Sequence, residues 1–194
     1  MVFTNLKATE KNLRGLFESS ALMATDVGNI YDVIVRDEND KEVECDNGVA
    51  ISVGGYTGDG LEERYATVAT AKNKIAVVGT PANVKSAMTK AQEQAYNFTN
   101  EAGKVAKAYQ IQDADVHTDI FGVASYQFTD ATSALVKKGS AVVVDGKGAW
   151  EAHEATELEA LKATNGFVGL IHSVSVGNYY TIVRIQVVQN KELA

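Results

Sequence analysis

The stretch from Gly166 to Gln189, GFVGLIHSVSVGNYYTIVRIQVVQ, constrains this chain more than any other. Two runs rich in β-branched residues flank Val176-Gly177-Asn178, and a glycine–asparagine pair between such runs signals a hairpin because both residues tolerate the positive φ of a tight reversal. Sixteen glycines against a single proline carry the same message along the whole chain. Turns are made by Gly, Asn and Asp, as in strand-rich domains.

Upstream, period two recurs. Ile30 to Val35 alternates as a strand with apolar residues on both faces, Asp37–Asp40 is a turn, and Glu42–Cys45 and Val49–Val53 are short strands joined by the tight turn Asp46-Asn47-Gly48. A three-stranded meander is the economical reading. Gly54 to Gly60 reads as an exposed loop. Tyr65–Thr70, Lys74–Val78, Lys104–Ile111, Ile120–Phe128 and Ser140–Val144 follow as strands, with Ala149–Ala152 continuing the ladder and a short helix at Thr156–Thr164. The strongest helix starts at Thr80, a good N-cap, with Pro81 at the first helical position. Val84, Met88, Ala91, Ala95, Phe98 and Ala102 form its apolar stripe, and Gly103 supplies the left-handed cap. The expected class is α+β and β-rich: an antiparallel β-meander with one amphipathic helix, then a small β-barrel-like module. The boundary falls near Asp115–Asp119. It separates an N-terminal arm, meander and helix (1–118) from the C-terminal module (119–194).

Composition removes several functions. Eighteen basic and twenty-five acidic residues give a net charge of −7, a field that repels phosphate backbones, so no nucleic-acid partner is expected. No apolar run approaches the ~20 residues of a membrane span, so no membrane partner is expected either. The segment MVFTNLKATEK lacks the basic-then-apolar order of a secretion signal. The lone cysteine, Cys45, cannot form an intrachain disulfide and reads as a small buried strand residue.

Chemistry-bearing patterns are weak. Asp113, Asp115, His117 and Asp119 would share a face in an extended chain, but same-face neighbours on a strand lie about 6.6–6.8 Å apart, so all four cannot reach one cation without a bend. A solvated connector is the plainer reading. His153-Glu154 begins an H-E-x-x-H pattern, but Glu157 occupies the position of its second histidine. His172, inside an apolar run, reads as a core or interface residue. No serine sits in a G-x-S-x-G elbow, and Gly54–Gly60 does not open a helix that would cradle a phosphate. No catalytic, metal or cofactor residues are therefore assigned.

The C-terminal motifs carry a resemblance. Asp119-Ile120-Phe121-Gly122-Val123, Lys138-Gly139-Ser140-Ala141-Val142-Val143-Val144, Gly166-Phe167-Val168-Gly169-Leu170 and Tyr180-Thr181-Ile182-Val183-Arg184-Ile185 occur in the order seen in small β-barrel head decoration (cement) proteins of tailed bacteriophages, which this segment resembles. The resemblance covers about the last 70 residues. It implies a non-enzymatic virion protein, assembled in the host cytoplasm, that binds and stabilises the capsid lattice. The implied partners are the major capsid protein and copies of itself, with no cofactor. Phe3, Leu6, Tyr56, Tyr179 and Tyr180 are the expected contact residues. The alternatives are a tail or neck component, a metal-dependent enzyme built on Asp113–Asp119 with His153 or His172, and a host-surface binding module using the Gly54–Gly60 loop.

Overall fold

The computed structural model describes residues 14–19, 22, 29–58, 62–81, 98–177 and 180–193. Its strands are β1 (Phe17–Glu18), β2 (Ile30–Arg36), β3 (Ala50–Tyr56), β4 (Arg64–Val68), β5 (Ala76–Val78), β6 (Ala106–Gln110), β7 (Ile120–Ala124), β8 (Ala141–Val144) and β9 (Trp150–His153). Helix α1 (Leu158–Thr164) then leads into the long hairpin β10 (Phe167–Val176) and β11 (Thr181–Asn190).

Strands β2 to β6 close into a five-stranded barrel in the order β2-β4-β3-β5-β6. Its pairs are antiparallel except β2 with β4, which run parallel with Val33 opposite Arg64 and Val35 opposite Ala66. Alternation sets what fills the barrel. Val33, Val35, Val49, Ile51, Ala66, Ala76, Val78, Ala106 and Ala108 point inward and are buried. So many alanines belong inside so narrow a barrel, where larger side chains would not fit.

The residues between them on β3 and β5 point out of the barrel and are equally buried. Ala50, Ile75 and Val77 pack against Phe121, Val123, Trp150, Phe167, Ile171, Val183 and Ile185. These belong to a six-stranded sheet of order β1-β7-β11-β10-β8-β9, antiparallel throughout. β3 and β5 are thus walls shared by two cores, and the all-apolar run Ala76–Val78 follows from burial on both faces. Trp150 is fully buried, 5.4 Å from the Phe121 ring and 5.5 Å from the Phe167 ring.

The expected class holds: α+β and β-rich, with strand neighbours antiparallel except β2 and β4, a short helix and a small closed barrel. The placement along the chain differs. The closed barrel lies within residues 30–110, and the strands after Asp119 form an open sheet. The cause is β4, which inserts between β2 and β3, parallel to β2, so that the run from Ile30 to Val53 is not a meander by itself. The Glu42–Cys45 segment makes only isolated bridges, Glu42 with Arg36 and Cys45 with Asn100. The amphipathic helix expected from Thr80 falls mainly on 82–97, outside the described residues. Its expected last turn is not helical: Asn100 pairs through its backbone with Cys45, and its carboxamide donates to the Cys45 carbonyl.

Barrel and sheet are joined by buried polar groups. The Asp46-Asn47-Gly48 turn is buried, not exposed. Gly48 takes φ +80°, and a Cβ there would meet the Gln127 carboxamide and the Leu16 carbonyl. The Gln127 Oε1 accepts from the Leu16 and Ala124 amides at 2.8 Å each, while its Nε2 donates to the Asn47 carbonyl at 3.0 Å. The Trp150 Nε1 donates to the Gly48 carbonyl at 2.9 Å. At the other end, the Asn190 side chain donates to the carbonyls of Ile75 and Ile111 and accepts from the Ile75 amide. Gln127→Ala would leave two buried amides and a carbonyl without partners. The expected loss is roughly 3–5 kcal/mol of unfolding free energy in urea titrations, and a loss below about 1 kcal/mol would show that Gln127 does not hold the junction.

Candidate binding surface

The described residue that combines a large aromatic ring with the greatest exposure is Tyr56, 60% exposed at the end of β3. Its position follows from a bulge. Val53 pairs with Ala66 and Tyr56 with Arg64, so between these pairs β3 has two residues, Gly54 and Gly55, where β4 has one, Tyr65. The extra residue falls at Gly54-Gly55, which bend without a side chain to place. Without it, Tyr56 would alternate outward, opposite in sense to the inward-facing Val49, Ile51 and Val53. With it, Tyr56 turns toward the barrel mouth, on the side to which Arg64 and Tyr31 also point.

There the three side chains form a stack. The Arg64 guanidinium lies 4.5 Å from the centroid of Tyr56 and 5.0 Å from that of Tyr31, and its Nη2 donates to the Tyr56 hydroxyl at 3.0 Å. On the outer wall of the same strands, the Arg36 guanidinium sits 3.2 Å over the centre of the Tyr65 ring. The Tyr65 hydroxyl reaches the Thr57 carbonyl at 3.4 Å. Lys107 and Asp32 form an ion pair nearby on β6 and β2. Each arginine therefore has its guanidinium held against a ring, which restricts its rotamers. Rigid tyrosine and arginine at an exposed rim are the side chains that dominate protein–protein contacts.

Of the five expected contact residues, Tyr56 stands in this rim. Tyr180 is half-buried in the hairpin turn of the other sheet, and its carbonyl accepts from the Gly177 amide at 3.0 Å. Phe3, Leu6 and Tyr179 lie outside the described residues. Tyr31, Arg36, Arg64 and Tyr65 were not singled out from the sequence. The signal was present in Gly54-Gly55, whose role as a bulge rather than a loop flips the side of everything after it. The reading of Gly54–Gly60 as loop is corrected accordingly: Gly54 to Tyr56 are strand, and 59–60 lie outside the described residues.

Asp113 and Asp119, weighed above as cation ligands, hold backbone amides instead. The Asp113 carboxylate accepts from the amides of Asp115 and Asn190, and the segment turns instead of running extended. Asp119 is fully buried, accepts from the Gln112 amide and lies 3.2 Å from His117 Nδ1. His153 stands beside Glu157 and Glu151, at 3.3 and 3.8 Å. His172 is the extra residue of a bulge in β10 and is exposed, so it is not a core histidine; the bulge takes it out of the pairing. Among the described residues, no three His, Cys, Asp or Glu side chains are grouped to hold a metal ion. Burial, then the neighbouring Asp46, pushes the Cys45 thiol well above its ordinary range, and burial also raises the Asp46 carboxyl.

Comparison with protein-family models, with curated proteins and with solved structures gives no match for this chain.

Buried and held as a thiol, Cys45 should resist alkylation by iodoacetamide at pH 8 in the folded protein and react on unfolding. Mass spectrometry with and without denaturant reads this directly; rapid labelling of the native protein would contradict the burial.

Proposed function

We propose that this chain is a binding protein of the bacteriophage virion, a capsid auxiliary or decoration protein that stabilises the head lattice. The observation that carries the binding part is the Tyr56–Arg64–Tyr31 rim: a pre-stacked, exposed aromatic–arginine group on a rigid barrel end, well suited to a protein surface. The virion part rests on the resemblance of the C-terminal strands to decoration proteins. Its mechanism is contact rather than chemistry. The partners are the major capsid protein and further copies of the chain. On a lattice, many modest contacts add through multivalency, so a rim of this size is sufficient.

The deciding experiment mixes purified protein with phage heads lacking it and measures co-sedimentation. Saturable binding is expected, weakened at least tenfold by Tyr56→Ala or Arg64→Ala, as for residues at the centre of a contact. Absence of binding, together with normal head stability without the protein, would overturn the reading.

A further inference from the structure

The β10–β11 hairpin is longer than the sheet that supports it. On one side β11 is covered by β7 from Gln186 to Ile182. On the other, β8 pairs with β10 only at Gly169 and Leu170, and the contact ends where the Ile171 amide donates to the Ser140 carbonyl and the Ile171 carbonyl accepts from the Gly139 amide. His172 then bulges out, and β10 runs on through Ser173, Val174, Ser175 and Val176, strand residues paired, among the described residues, only with β11. Val176 is 84% exposed and Val174 is 36% exposed.

The direction of the free backbone groups follows from one hydrogen bond. The Gly177 amide donates to the Tyr180 carbonyl across the turn. In an antiparallel ladder, hydrogen-bonded and non-bonded positions alternate, so Ser175 and Ser173 also turn their amides and carbonyls toward β11. The amides and carbonyls of Val174 and Val176 therefore face outward along the open edge. An edge of this kind is a template for another strand.

We infer that the occupant of this edge is the same edge of a second copy, joined antiparallel about a two-fold axis at Ser175. In that register each Val174 faces Val176 of the second copy, and the outward groups of both exchange hydrogen bonds. The valines then pack against each other on one face of a sheet that runs continuously through both molecules. The Val174-Ser175-Val176 edge is its own complement about Ser175, and charge permits this occupant. The chain carries −7 overall, yet no Asp, Glu, Lys or Arg occurs between Gly166 and Arg184. Arg184 itself is neutralised by Glu18, with 2.8 Å between its Nε and the carboxylate. The Arg184 Nη1 also donates to the Ser175 Oγ at 2.7 Å, so at the axis each guanidinium arrives with its own carboxylate, and the edge has neither the lysine nor the proline with which exposed strands ordinarily prevent pairing. This deepens the part of the proposed function that has copies of the chain contacting one another, and it is independent of the Tyr56 rim.

Sedimentation equilibrium over a range of protein concentrations tests it in solution, without heads. The wild type should reach the mass of a dimer. Val176→Lys should remain a monomer, and Val116→Lys, a change at another exposed valine (75%), should behave as wild type. Ser175 is a non-hydrogen-bonded position, where facing Cα atoms lie about 4.5 Å apart, within disulfide range. Ser175→Cys should therefore form a covalent dimer under mild oxidation, and Val116→Cys should not. A wild type that stays monomeric throughout, a dimer indifferent to Val176→Lys, or a dimer that Ser175→Cys fails to cross-link would each overturn the inference. Tyr56→Ala should pair normally while losing head binding, so failure of the edge and failure of the rim are told apart.

Discussion

The structure depends on satisfying the backbone of a buried turn. Asp46-Asn47-Gly48 lies buried where the barrel, the sheet and the segment preceding β1 meet. A buried unpaired carbonyl costs free energy comparable to a lost hydrogen bond, so each must find a partner from a distant part of the chain. Gln127 and Trp150 serve the Asn47 and Gly48 carbonyls, and Asn100 serves the Cys45 carbonyl. The Asn47 side chain accepts from the Thr80 amide and donates to its carbonyl. The polar groups a loop would give to solvent are instead the connectors between two apolar cores. They also impose direction, which apolar contact does not, because each hydrogen bond forms only where its two partners meet.

The same logic of parity governs the surface. A bulge of one residue in β3 changes the side on which Tyr56 emerges and brings it onto Arg64 and Tyr31. A bulge at His172 in β10 marks the point where the sheet stops supporting the hairpin. Between them, Gly122 lets Glu18 reach across β7 to Arg184, since a Cβ at that position would lie 2.7 Å from the Glu18 carboxylate. The exposed features thus arise from small irregularities in regular strands, at positions where a missing or an extra group redirects its neighbours.

This explains what could be read from the sequence. Strand runs such as Ile120–Phe128, Ser140–Val144 and the final hairpin announce themselves because β-branched residues alternate between Gly and Asp turns; the structure places strands there, but ends the first at Ala124, where a 3-10 turn (Ser125–Gln127) brings Gln127 under the buried turn. The short helix ending at Thr164 was equally legible. Pairing was not: nothing local distinguishes β2 beside β3 from β2 beside β4, since the choice is made by barrel closure among residues tens of positions apart. Asp46-Asn47-Gly48 has the composition of an exposed turn, and its burial depends on Gln127, about eighty residues away. The Tyr–Arg rim stayed hidden for the reason given by Gly54-Gly55: a bulge looks like a loop until its partner strand is known.

The order of strands in the sheet has a consequence for how the protein is made. β11 lies between β7 and β10, yet it follows every other described strand in the chain. As the polypeptide leaves the ribosome, β7 has only the two-residue β1 beside it and β10 lacks its main partner until β11 has emerged. Phe121, Val123, Phe167 and Ile171 wait with it, apolar and without a completed core. The barrel strands can close earlier, but the outer faces of β3 and β5 wait as well. The nascent chain therefore passes through a stage in which strand edges and aromatic side chains are open to wrong partners. Slow synthesis prolongs that stage, and chaperone binding during it would be directed at the segment from β7 to β10.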